Sequence, residues 1–302
     1  MAAKVCILIS TCERYRPLAA FTVERLRLFW RDHPPLFSCG LESTLSPGCS
    51  VLPLVGDPAD WMAVTRAACA DLLQRGFSHA YVILDDHPPL ALCHARHLNH
   101  TLPAMAQALE AVSLSLSGYG QRRPRLGRSV RWRGWDLDRV SSTELWKFPL
   151  HPALWDLTAL QGILDFLLAA LPPSEHTPWA FERKGGDPST PLPDKWKSSS
   201  YRINGARLAA RPFFALRHLP LRLAQILSEG LIMISGLVAG PKLRDRTRAR
   251  FRWLSCPYDG PYPLFWSGLM AKGKVNSHLV SYCHATGQAA LLARVKALIG
   301  PA

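Results

Sequence analysis

The sequence predicts an α/β protein: a mostly parallel, Rossmann-like sheet flanked by helices, with a basic C-terminal elaboration. Three observations carry that expectation. Short continuous apolar runs such as Val5–Ile9 and Tyr81–Leu84 have the look of strands buried on both faces. Stretches with helical spacing lie between them. Each strand run then ends in a polar loop, as parallel strands joined by crossover helices do.

The elements follow in order. Val5 to Thr11 reads as the first strand, and Cys12-Glu13-Arg14-Tyr15-Arg16 as the polar loop at its end. A helix is expected from about Pro17 to Trp30, with Leu18, Phe21, Leu26, Leu28 and Phe29 apolar among basic residues. Cys49 to Val55 reads as a second strand ending in Gly56-Asp57. Ala59 to Arg75 reads as a helix closed by Gly76. The strand Ala80–Leu84 arrives next and runs into Asp85-Asp86-His87, where Pro88-Pro89 stops the backbone.

After Pro103 a helix and a short strand (Ala111–Leu116) lead to Gln121–Gly134, a loop with arginines at 122, 123, 125, 128, 131 and 133. Helix is expected from about Ala153 to Leu171, and residues 185–200 read as a long surface loop. Pro220–Gly240 reads as an apolar helix bracketed by Arg211, Arg217 and Arg222 on one side. Lys242, Arg244, Arg246, Arg248, Arg250 and Arg252 follow on the other. Such a helix is either core or a membrane-interface element. Ala289–Ile299 is expected to close the chain as a helix. Residues 1–200 would form the binding and catalytic core, and 201–302 would complete the sheet in one continuous domain.

Composition narrows the partners. The 302 residues carry 36 Lys+Arg against 22 Asp+Glu, a net charge of +14, so an anionic partner is expected: nucleic acid, an anionic membrane surface or a phosphorylated substrate. Eight scattered cysteines with no C-x-x-C pair fit free thiols in a reducing compartment. No charged leader followed by an apolar core opens the chain, and no run reaches the ~20 apolar residues of a membrane span. A cytoplasmic protein, peripheral at the inner membrane face, is expected. The fingerprint G-x-G-x-x-G is missing after the first strand, which argues against a dinucleotide dehydrogenase. The arginine stretches 122–133 and 242–252 leave a nucleic-acid-binding reading open, although no known nucleic-acid-binding signature accompanies them.

Chemistry is expected where the strands end, because ligands bind at the carboxyl ends of strands in open α/β sheets. Asp85, Asp86 and His87 sit there. Two carboxylates and an imidazole suit a divalent cation, Mn²⁺ or Mg²⁺, that would hold a diphosphate. The competing reading makes one carboxylate a turn cap and His87 a loop histidine.

Three separated segments resemble one family. Val-Cys-Ile-Leu-Ile-Ser-Thr-Cys-Glu-Arg-Tyr-Arg (5–16), the stretch from Trp61 to Ile-Leu-Asp-Asp-His (83–87), and His-Thr-Pro-Trp-Ala-Phe-Glu-Arg (176–183) occur in the order and spacing of certain enzymes. These are bacterial GT-A-fold glycosyltransferases of capsular and surface polysaccharide synthesis. The segment Tyr262–Asn276 is similar to that group's closing strand and loop. One position departs: His87 stands where an aromatic residue is usual. Read as Asp85-x-His87, it is similar to the metal motif of polypeptide N-acetylgalactosaminyltransferases.

The resemblance implies a GT-A-like fold and transfer of a sugar from a nucleotide sugar, UDP-linked, to a saccharide or lipid-linked saccharide. On this reading Thr11, Glu13 and Arg14 contact the nucleotide, and Asp57 accepts from uracil or ribose. Arg66, Lys272 and Lys274 reach the diphosphate, and Asp85 and Asp86 hold donor and metal. Glu182 is the expected general base, desolvated by Trp179 and Phe181; Trp179 would also stack on a sugar. Against each stands a plain alternative, namely a loop residue, an exposed arginine, a charged turn, or a glutamate paired with Arg183 or Lys184.

Overall fold

Alternate residues of the two central strands face opposite ways, and that alternation builds the molecule. Ile7 and Ile9 of β1 (Val5–Ser10) join Tyr81 and Ile83 of β4 (His79–Leu84) on one face of the sheet. They pack there against Ala19, Val23 and Leu26 of α1 (Arg16–Phe29) and Leu102 and Met105 of α3 (Leu102–Ala108). Cys6, Leu8, Ala80 and Val82 point the other way. Their partners are α2 (Trp61–Gln74), α4 (Leu157–Ala170) and Phe181 of α5 (Pro178–Gly186). The period-2 side-chain direction of a strand thus gives helix, sheet and helix in three layers.

The computed structural model describes residues 3–116, 126–132, 135–144, 147–148, 150–203, 219–258 and 260–299. Its nine-stranded sheet has the order β3-β2-β1-β4-β8-β5-β9-β7-β6. Here β2 is Leu36–Cys39, β3 Cys49–Val51, β5 Ser113–Ser115, β6 Leu126–Trp132, β7 Trp135–Val140, β8 Ala153–Asp156 and β9 Ser200–Ile203. Strands β3, β2, β1 and β4 are mutually parallel, β5 and β9 run beside each other in parallel, and β8 and β7 run against their neighbours. The expected mostly parallel sheet is therefore present, with two strands, β8 and β7, running antiparallel to their neighbours.

Several expectations need correction. The second strand stops at Val51, because Pro53 lacks the amide a ladder needs, and β2 lies before it. Residues 153–156 are a strand, not the start of a helix: Asp156 caps α4 by accepting from the Ala159 amide at 2.7 Å. Of the arginine-rich stretch, 126–132 is strand β6, paired with β7; Arg122, Arg123, Arg125 and Arg133 lie outside the described residues. The expected loop 185–200 includes α6 (Asp194–Ser198) and the start of β9.

Beyond β9, α7 (Leu219–Phe251) is two helical arms merged across a kink at Gly240 (φ 77°) and Pro241. Arg211 and Arg217 lie outside the described residues. A cap of short hairpins, β10 (Pro257–Tyr258) with β11 (Leu264–Phe265) and β12 (Met270–Ala271) with β13 (Lys274–Val275), precedes α8 (Ser277–Thr286) and α9 (Ala289–Ile299). Phe265, Leu269 and α8–α9 pack on Leu18 and Phe21 of α1. All eight cysteines are unbridged. Among the described residues, no helix is long and apolar enough to cross a membrane.

Candidate functional site

The strand order reverses direction at β1: β2 and β3 extend to one side of it and β4 lies on the other. Crevices open at such switch points, beyond the carboxyl ends of the strands. Thr11 follows β1 and Asp85 follows β4, and their side chains meet there, with the Thr11 hydroxyl donating to Asp85 Oδ2 at 2.8 Å. From below, the Thr22 hydroxyl of α1 donates to the Asp85 carbonyl.

Asp85 and its neighbour Asp86 are held in opposite states. Burial, and then the Asp86 charge, push Asp85 up to about 7, more than the Thr11 hydrogen bond and the Asp86 amide can offset. Burial also penalises Asp86, but the His87 charge and hydrogen bond and the Met270 amide hold its carboxyl below the usual range. Asp86 Oδ1 lies 2.8 Å from His87 Nδ1. Burial disfavours the His87 cation, yet Asp86 outweighs that and raises its pKa.

The C-terminal cap closes over this pair. The Leu269 amide donates to the Asp86 carbonyl at 2.9 Å, the Leu90 amide to the Pro263 carbonyl at 2.8 Å, and the Tyr262 hydroxyl to the His87 carbonyl at 2.8 Å. Gly268 has φ +72°, and a Cβ placed on it would lie 2.2 Å from Asp86 Oδ2. Only glycine allows the cap to approach so closely. Asn276 ties the cap to α8: its amide group donates to the Ser267 and Gly268 carbonyls while its oxygen accepts from the His278 amide.

Lys272 and Gly273 both have positive φ, the turn that a two-residue hairpin between β12 and β13 requires. A Cβ on Gly273 would be 3.6 Å from Arg14 Nη2, so the turn lies against the Arg14 guanidinium. Arg14, Lys272 and Lys274 are all exposed. Three cations from opposite ends of the chain thus border the edge where β1 ends.

Glu182 approaches from the other side. Asp60 caps α2 through the Ala63 amide and also pairs with His176 at 2.7 Å, fixing the start of α5. Thr177 caps α5 and Pro178 opens it. Glu182 then accepts from the Leu150 amide at 2.6 Å, and burial raises its pKa, while the nearby His87 charge lowers it. Next to Leu150, the His151 ring packs edge-on against His87 (centroids 5.4 Å) and stacks on Trp266 (5.1 Å, 11°). Burial drives His151 down to about 3, so it is neutral. Asp86, His87 and His151 therefore touch in sequence, and Glu182 lies near enough for the His87 charge to act on it. His151 and Trp266 carry no signal in their local sequence, and no pattern there points to them.

Other expected residues are placed differently. Glu13 is held by Arg16 (2.7 and 2.8 Å) and by the Glu42 amide, and the Arg16 hydrogen bond takes it down to about 2. Its carboxylate braces the loop that follows β1. Asp57 accepts from the Ala59 amide at 2.8 Å in a turn before α2. Arg66 pairs with Asp165 of α4 at 2.7 Å. Phe181 is core, edge-on to Trp61 and Trp155. Trp179 is 70% exposed and lines a shallow depression with Glu175 and Arg183, so it does not wall off Glu182.

The three-residue metal set also requires correction. His87 Nδ1 faces Asp86 and Nε2 faces the Trp266 carbonyl at 3.4 Å. Among the described residues, no three His, Cys, Asp or Glu side chains converge as metal ligands would. Asp85, Asp86 and His87 as arranged do not fit a shared cation.

No protein-family model matches the chain, and no curated protein sequence matches it. Among solved structures it is similar to the crystal structure of mannose-1-phosphate geranyltransferase from Thermus thermophilus. The two are 16% identical, the match covers 66% of this chain and 73% of that one, and the TM-score is 0.30.

Proposed function

We propose that this chain is a glycosyltransferase that takes a sugar from a nucleotide sugar, UDP-linked, to a saccharide or lipid-linked saccharide acceptor. The observation that carries the reading is the Thr11–Asp85 hydrogen bond at the switch point. It sets a half-open carboxylate, poorly matched to its surroundings, where an α/β sheet binds ligands.

Arg14, Lys272 and Lys274 would face the leaving diphosphate, whose charge grows as the glycosidic bond breaks. Positive charge there matters most in an oxocarbenium-like transition state. Glu182, with its pKa raised by burial, would take the acceptor hydroxyl's proton. The buried Asp86–His87 pair would fix the backbone that presents Asp85. A divalent cation stays in the proposal only through Asp85 and the donor's own phosphate oxygens, and no step above depends on it.

Thermal-shift measurements with UDP, GDP, CDP and TDP, with and without Mn²⁺, test donor binding. A ligand at 100 times its Kd stabilises by about 2.7 kcal/mol. The wild type should respond to a nucleoside diphosphate, and Lys272→Ala/Lys274→Ala should need roughly ten times more of it, at ~1 kcal/mol for a partly screened ionic contact. No response to any of the four would sink the reading. Glu182→Gln should keep the response and lose transfer; full transfer would remove Glu182 as the base.

A further inference from the structure

We infer that the hairpin 219–251 docks on an anionic lipid surface, its first arm lying in the headgroup layer and its second arm supplying the cations. The inference does not rest on the proposed reaction.

The hairpin is built by three residues. Gly240 takes φ 77° and ψ −175°, which breaks the helix, and Pro241 follows with no amide to continue it. A Cβ at Gly236 would lie 3.1 Å from the Arg244 side chain. In a continuous helix residues eight apart are separated by about 12 Å, so the second arm folds back on the first.

The first arm is amphipathic in an inverted sense. Leu223, Leu227, Leu231, Ile234 and Val238 recur at helical spacing along one stripe, and all are exposed. Ser228 and Ile232, on a neighbouring stripe, are buried. Near the bend, Leu237 and Val238 are 79% and 80% exposed. Large apolar patches on a protein surface mark an interaction site. Among the described residues no helix is both long and apolar enough to cross a bilayer, and an exposed apolar stripe beside a cationic arm fits the in-plane geometry of an interfacial helix, buried ~5–10 Å deep.

Charge selects the occupant. Lys242, Arg244, Arg246 and Arg250 are exposed on the second arm, and Asp245, 3.5 Å from Arg244, is the acidic group beside them. A second copy docked symmetrically would set this cationic arm against its twin. Anionic headgroups complement it and accept the apolar stripe at the same time.

Flotation of the full chain on vesicles of phosphatidylcholine, with or without about one-third phosphatidylglycerol, tests this. The wild type should float with the anionic vesicles and release at high salt. Leu237→Glu/Val238→Glu should lower the bound fraction at least tenfold. Lys242→Ala/Arg246→Ala should lower it by roughly an order of magnitude, at a few-fold per cation. All four positions are exposed, so an unchanged melting temperature is expected and shows that folding is intact. Failure of the wild type to float, or flotation unaffected by both variants, would overturn the inference. So would a concentration-dependent dimer that does not bind vesicles and that Leu237→Glu/Val238→Glu dissociates, because a second copy would then cover the stripe. Nucleotide response is read separately, so this failure is distinct from failure of the proposed reaction.

Discussion

The carboxyl edge of β1–β4 and the α2–α4 flank serve the same sheet, yet their carboxylates sit in opposite settings. On the flank, Arg66 meets Asp165, and Asp60 meets both a helix end and His176. These groups are matched and ask for nothing further. At the edge, Asp85 stays in a setting that disfavours its charge, although an uncharged residue would fit there more easily. Matched polar groups organise a fold. A mismatched one persists where something other than stability keeps it.

The strongest way to break that contrast is Asp85→Asn. Burial raises the folded pKa to about 7 from 3.8, so between those values the native state holds more protons than the unfolded one. Stability therefore falls as pH rises through that window, and the full penalty is present above about 7. Removing the charge should raise stability at pH 8 by the order of 2–4 kcal/mol, with the gain fading near pH 4. Transfer should fall ~10²–10³-fold. Denaturant melts at both pH values, beside a turnover assay, read the two effects. A variant that is less stable at pH 8, or that keeps full turnover, would make Asp85 one more matched group.

Gly268→Ala probes how the edge is closed. The new Cβ would collide with Asp86 Oδ2 at a left-handed φ, so the cap has to withdraw from Asp86 and His87. A loss of about 2–4 kcal/mol is expected, from strain and an uncovered buried pair together. Nucleoside-diphosphate response should weaken with it, since Lys272 and Lys274 belong to the same cap. A fully stable variant with unchanged response would mean that the cap does not organise the edge.

How much of this is legible in the sequence follows the same division. β1, α1, α2, β4 and α9 are readable because each is a local pattern, namely an unbroken apolar run, a helical stripe, or a cap such as Gly76 at φ +80°. β2 is not, because four residues after Pro34-Pro35 carry too little pattern, although all four are buried. β8 merges with α4 in the sequence, since Ala153-Leu154-Trp155 continues the apolar run; Asp156 as a cap is the signal that separates them. Asp85, Asp86 and the lysine turn can be named from local sequence. The different fates of the two aspartates cannot, because they depend on Trp266, Gly268 and Met270, far along the chain. The ion pair that holds Arg66 is hidden for the same reason, since Asp165 lies on another element.

The smallest expected effect is the one that sharpens the contrast from the flank side. Arg66 and Asp165 are each nearly half exposed, so water already screens their attraction. Arg66→Ala should cost no more than ~1 kcal/mol, and a double-mutant cycle with Asp165→Ala should give a coupling of ~0.2–1 kcal/mol that shrinks with salt. Glu13→Gln belongs beside it. The Arg16 hydrogen bond lowers the Glu13 pKa to about 2, so its contribution is present above the unfolded value near 4.5 and lost only as pH falls through about 2. At neutral pH both variants should leave the thermal response to nucleoside diphosphates unchanged. If Arg66→Ala abolished that response while leaving stability alone, its guanidinium would have to leave Asp165 when ligand binds. The flank would then be part of the site, and the division between matched and mismatched charge would no longer separate structure from function.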